Sequence, residues 1–158
     1  MTMNIYFAGS IRGGLADREL YQKLIRFLQQ YGKVLTEHVG DMERSLKRED
    51  VQTIQDIYTE DMRWLEESDL VVAEVSTPSL GVGYEIACAE KFGKPVLCLY
   101  HPGEGRSLSL MLRGNPHVTV REYQAFEELK GHVTEFLKAR KNAHDPSLST
   151  HSDRSRSG

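Results

Sequence analysis

At 158 residues the chain has the length of one domain and can bury an ordinary hydrophobic core. A net charge of -3 argues against a duplex nucleic-acid binder, which would normally show a basic stripe, although local basic residues can still hold one small anion. Residues 1–10 lack the basic start and apolar run of a signal peptide, and no stretch approaches the length of a membrane span. The expectation is a soluble intracellular protein, cytoplasmic with the nucleus left open, and without a membrane or a nucleic-acid polymer as partner. Cys88 and Cys98 fall in a predicted helix and a predicted strand, and read as small buried side chains in a reducing compartment rather than as a disulfide.

Asn4–Gly9 (NIYFAG) is a short apolar run closed by Gly-Ser, and it predicts the first strand. Asp17–Gln30 carries Leu20, Leu24, Ile25 and Leu28 at spacings of three and four, which fits an amphipathic helix stopped by Gly32. Val34–Thr36 predicts a short second strand ending near Glu37 and His38. Residues 40–50 are charged and read as irregular, and Val51–Glu66 predicts a long helix. Leu70–Val75 then reads as a buried strand, followed by a Ser/Pro/Gly loop and a helix over Val82–Phe92. After the Gly93-Lys94-Pro95 turn come a buried strand at Val96–Tyr100 and a weaker fifth strand at His117–Val120. The last helix, Tyr123–Lys141, places Phe126, Leu129, Val133, Phe136 and Leu137 on one side.

Alternating strands and helices predict one α/β domain over 1–141, a flavodoxin/Rossmann-like five-stranded parallel sheet with helices on both faces. The expected strand order puts a topological switch point beside the first strand. Residues 142–158 lack periodicity and predict a disordered tail.

Three features along this order carry chemistry. Gly9-Ser10-Ile11-Arg12-Gly13-Gly14 follows the first strand, where glycines expose backbone N–H groups and Ser10 and Arg12 add donors for an anion. It is neither a Walker loop nor a G-x-G-x-x-G fingerprint, and an ordinary strand-to-helix turn stays open. A second loop, Ser79-Leu80-Gly81-Val82-Gly83, follows another central strand, so the two can share one phosphate. Glu85 lies close behind that loop. A helix N-terminus would keep its carboxylate ionised, as a nucleophile requires, while a simple dipole partner is the alternative.

Asp61 is the third feature. Val51, Ile54, Tyr58 and Leu65 form one apolar stripe, and Asp61 sits on it. An acid there is costly unless paired or protonated, and a raised pKa would make it a proton donor; a partly exposed edge residue or a cap is the alternative. Tyr6 and His38 can face the same crevice. One ionised and one protonated carboxylate are what retaining cleavage of a glycosidic bond needs, and beside an anion loop they suggest a phosphorylated sugar or nucleotide.

Tyr6–Gly14, Val34–His38, Asp61 with Trp64-Leu65, Ser79–Glu85 and Gly105–Gly114 together resemble the 2'-deoxynucleoside 5'-phosphate N-hydrolases of the nucleoside 2-deoxyribosyltransferase superfamily, over residues 4–125. The resemblance implies a homodimer that cuts the N-glycosidic bond of deoxynucleoside monophosphates without a metal or organic cofactor. It casts Glu85 as nucleophile, Asp61 as general acid and Tyr6 as the group orienting glutamate and sugar. Gly9, Ser10, Ile11, Arg12, Ser79 and Gly81 match the phosphate and sugar pocket, which Gly13 adjoins, and His38 matches a position near the base. Ser109 and Met111 match residues that reach in from the partner subunit. Two base classes stay open, purines and 5-hydroxymethyluracil. The nearest rival is a deoxyribosyltransferase acting on nucleosides, where an acid tends to stand in place of Ser79; serine donates to a phosphate that an acid would repel. A non-catalytic nucleotide-binding module is the rival outside enzymes.

Overall fold

The computed structural model describes residues 2–11, 13–103 and 105–144. Strands β1 (Met3–Ala8), β2 (Gly32–Val34), β3 (Leu70–Glu74), β4 (Val96–Tyr100) and β5 (Val118–Glu122) form one sheet in the order β2-β1-β3-β4-β5. Every pairing is parallel, with Ile5 opposite Leu70 and Ala73 opposite Cys98. The helices are α1 (Leu15–Leu28), α2 (Met42–Val51), α3 (Ile54–Glu67), α4 (Leu80–Lys91), α5 (Leu110–Arg113) and α6 (Phe126–His144). The expected α/β class, five parallel strands and flavodoxin-like order are all present.

Successive strand residues point to opposite faces, so each apolar run feeds two cores. Ile5, Phe7, Leu70, Val72, Leu97 and Leu99 pack against Tyr21, Leu24 and Leu28 of α1 and Leu129, Val133 and Leu137 of α6. Tyr6, Ala8, Val71, Ala73 and Cys98 face Leu65 of α3 and Val82, Ile86 and Ala89 of α4. Each large side chain so buried contributes about 1.5–3 kcal/mol relative to exposure. Both cysteines are free, with Cys98 buried and Cys88 only partly so.

Several sequence expectations need correcting. Gly32 does not stop α1; it opens β2, where an added Cβ would run into the Met3 carbonyl oxygen across the pairing. The second strand ends at Val34 because Thr36 leaves the ladder and bonds Phe7 through its hydroxyl, accepting from the N–H (2.8 Å) and donating to the carbonyl (2.6 Å). A 3-10 turn over Glu37–Gly40 follows.

Residues 40–50 are mostly helical rather than irregular. Asp41 caps α2 by accepting from the Arg44 N–H at 3.1 Å. The next helix starts at Ile54 because Thr53 and Asp56 form a reciprocal capping box. The stripe on α3 is not a core face along its length: Leu65 is buried, whereas Ile54 is 90% and Tyr58 53% exposed, and the Val51 side chain lies outside the described residues. The last helix continues to His144, past Lys141, and 145–158 of the expected tail lie outside the described residues. Among the described residues no helix is long and apolar enough to cross a membrane.

Candidate active site

β1 and β3 are neighbours, yet the chain leaves β1 for α1 on one face and β3 for α4 on the other. That divergence opens a crevice at their C-terminal ends, where open α/β sheets bind ligands. A cavity of about 480 Å³ lies there, lined by Gly9, Ser10, Ile11, Pro78, Ser79, Leu80, Gly81, Val82 and Glu85. The two loops proposed to share a ligand therefore share one cavity.

Packing fixes both loops. Gly9 lies under the Tyr21 ring, where a Cβ would come within 2.9 Å, and the Ser10 N–H donates to the Tyr21 hydroxyl at 3.1 Å. Gly13 sits against the Asp17 carboxylate, which an added Cβ would strike. Asp17 in turn accepts from the Thr77 hydroxyl at 2.6 Å, tying the first turn of α1 to the second loop. Arg12, the expected charged donor, lies outside the described residues. α4 starts at Leu80 rather than Val82, with Ser79 as its N-cap; the Ser79 oxygen accepts from the Val82 N–H at 3.3 Å and its hydroxyl hydrogen remains available to donate. The N-terminus of α4, with its partial positive charge and unpaired N–H groups, borders the cavity and suits an anion.

Glu85 stands past the first turn of α4, so the helix terminus does not control its charge. Burial pushes its pKa up to about 7, helped by Asp61 and opposed by Tyr6 and Arg48. This corrects the expectation of a firmly ionised carboxylate. Tyr6, projecting from β1 onto the α4 face, donates its hydroxyl to Glu85 Oε1 at 2.9 Å. Burial and the Glu85 carboxylate hold the Tyr6 phenol far above its usual range, so it stays a donor.

An adjoining cavity of about 370 Å³ shares Ile11 with the first and is lined also by His38, Ser45, Arg48, Ile54, Ile57 and Asp61. Asp61 titrates above the ordinary carboxylate range because burial outweighs its bond from Arg48 Nη2 (2.8 Å). Of the two ways such an acid is tolerated, paired or protonated, the structure shows the pairing with Arg48, while burial favours the protonated form. His38 is buried, and desolvation followed by repulsion from Arg48 and Arg44 lowers its pKa to about 4. It is neutral, and because arginine only donates, its Nε2 accepts from Arg48 Nη1 at 3.2 Å.

Ser109 and Met111 do not reach the Glu85 cavity within their own chain. Ser109 caps α5, Met111 is 82% exposed, and both line a third cavity of about 680 Å³ with Ser79, Leu80 and other residues of α4. Sequence reasoning passed over Arg48, Glu60, Thr77 and Asp17. A capping Asp41 followed by Arg44, Ser45 and Arg48 at helical spacing was the available signal for α2. Among the described residues, no group of three or more His, Cys, Asp or Glu side chains is arranged to hold a metal ion.

Residues 5–142 match the family model described as nucleoside 2-deoxyribosyltransferase. The chain is 47% identical over 143 residues to 5-hydroxymethyl-dUMP N-hydrolase of Esox lucius, covering 86% of this chain and 97% of that protein. It is 50% identical over 129 residues to a putative 2'-deoxynucleoside 5'-phosphate N-hydrolase 1 of Nematostella vectensis, covering 78% and 87%. The solution structure of BlsM superposes with a TM-score of 0.70 at 21% identity, covering 94% and 98%, a likeness of fold. A five-stranded sheet with a switch-point crevice, a family match spanning nearly the whole sheet and relatives at about half identity lead to one conclusion: the chain belongs to the nucleoside 2-deoxyribosyltransferase family.

Proposed function

We propose that this chain hydrolyses the N-glycosidic bond of 2'-deoxynucleoside 5'-monophosphates, releasing the free base and 2-deoxyribose 5-phosphate. The observation that carries this is the Tyr6-bonded Glu85 carboxylate in the same cavity as two loops of anion donors, with Asp61 in the adjoining cavity. The 5'-phosphate sits at Ser10, Ser79 and the α4 N-terminus, which sets C1' beside Glu85. A Glu85 oxygen attacks C1' as the C1'–N bond breaks and its electron pair leaves with the base, which takes a proton from Asp61. Water then attacks C1' of the glutamyl ester, giving its proton to Asp61 while the Glu85 carboxylate departs. The names of the relatives support 5-hydroxymethyl-dUMP as the substrate.

Incubating the protein with a panel of deoxynucleoside monophosphates tests the reading. Free base and deoxyribose 5-phosphate are expected from the parent, and neither from Glu85→Ala. Faster cleavage of deoxyadenosine than of dAMP would replace the reading with a nucleoside transferase, and a fully active Glu85→Ala would remove the covalent step.

A homodimer belongs to the same proposal. Ile54, Tyr58, Leu80, Tyr84, Leu110 and Met111 are large apolar side chains left exposed around α3, α4 and α5, and Tyr58 and Tyr84 touch edge to face. Sedimentation should show two chains, and Met111→Glu should shift it toward one with loss of activity. A monomeric, fully active parent would refute this. Location in the cytoplasm or nucleus is likewise proposed, supported by two unpaired thiols.

A further inference from the structure

Arg48 bonds both Asp61 and Glu60, and the reaction as written gives it nothing to do. We propose that Arg48 is a catalytic residue for the leaving group, donating to a carbonyl oxygen of the departing base and stabilising the anion that forms as the C1'–N bond breaks. The inference rests on the hydrolase reading above.

The guanidinium is gripped from several sides. Glu60 Oε2 accepts from Nη2 at 3.0 Å and from Nε at 3.2 Å, Gln52 accepts from Nε at 3.0 Å, and the Ile57 carbonyl accepts from Nη2 at 3.3 Å. The Trp64 ring lies 5.2 Å from the guanidinium carbon. Nη1 is different: among the described residues its partner is His38 Nε2, which leaves one Nη1 hydrogen without an acceptor. The Arg48 side chain is 14% exposed, and much of the remaining wall of its cavity is isoleucine. A largely buried cation with a donor that is spare among the described residues suits an acceptor from outside the chain.

The chemistry supplies one. Breaking C1'–N sends its electron pair to the base nitrogen, and in a pyrimidinedione that charge spreads onto the carbonyl oxygens. Asp61 Oδ1 accepts from Arg48, which leaves Oδ2 to carry the proton that the hydrolase reading has Asp61 deliver to the base. The guanidinium remains protonated throughout and is fixed before charge develops, so it stabilises the anion without reorganising. Glu60 offsets its charge beforehand.

The test is the dependence of rate on leaving group. Arg48→Gln and Arg48→Lys are compared with the parent on 5-fluoro-dUMP, dUMP and dTMP, whose bases form progressively less stable anions. Arg48→Gln should lower kcat on dTMP by about 10²-fold or more, less on 5-fluoro-dUMP, with KM little changed, and Arg48→Lys should recover part of the loss. Binding of 2-deoxyribose 5-phosphate, which occupies the other cavity, should be unaltered. Equal losses across the three substrates, an effect confined to KM, or loss of deoxyribose 5-phosphate binding would overturn the proposal. A parent inactive on every deoxynucleotide would instead overturn the hydrolase reading.

Discussion

Glu85 is held between opposing influences, and Tyr6 is the one that can be removed with least disturbance. Desolvation raises the Glu85 pKa to about 7, while the Tyr6 hydroxyl favours the ionised form. Tyr6→Phe deletes that donor, so the pKa should rise further. In the proposed mechanism the nucleophile is the carboxylate, so the acidic limb of the pH dependence of kcat/KM should move to higher pH. A hydrogen bond to a charged group is worth about 1.5–3 kcal/mol, which corresponds to roughly one to two pH units. An unmoved limb in the pH–rate profile would refute the assignment. Glu85, Asp61 and Tyr6 were legible in the sequence because each combines a reactive side chain with a position readable from strand ends or helical spacing. Arg48 was not, because an arginine in a charged run looks the same whether it is solvated or folded over a neighbouring helix. Its proposed role depends on α2 lying beside α3, where Arg48 meets Asp61.

The elements show the same division. Strands buried on both faces announce themselves as unbroken apolar runs, and the sequence located β3 and β4 within a residue. Segments held by single polar side chains do not. Thr36 ends β2 by substituting its hydroxyl for a backbone partner, and Thr53 divides what reads as one long helix. The bond from Thr77 to Asp17 ties the first turn of α1 to the loop after β3, with β2, α2, α3 and β3 between them in the chain, and no local pattern marks it. These side chains decide where a wall of the site begins and ends. Hydrophobic spacing decides only that a sheet exists for it to rest on.

Across the whole molecule, the two cores meet at the sheet, and every residue of β3 and β4 is buried. The helix α2 is placed differently. Ser45 is its buried residue among those whose side chains are described, and polar links hold it: Asp41 at its start, Ser45 donating to the His38 carbonyl at 2.8 Å, and Arg48 across to α3. The described ties of α2 are a few polar bonds, so the free energy of local opening should fall well below that of global unfolding. Amide hydrogens of α2 should then exchange with deuterium long before those of β3. Adding 5-hydroxymethyl-dUMP to Glu85→Ala protein should slow exchange in α2 and leave β3 unchanged; equal protection of the two in the free protein would refute this. The wall over the base would then be the part of the molecule that detaches first. In the proposed reaction a spent base would leave on that side while the sheet and the Glu85 cavity stay intact.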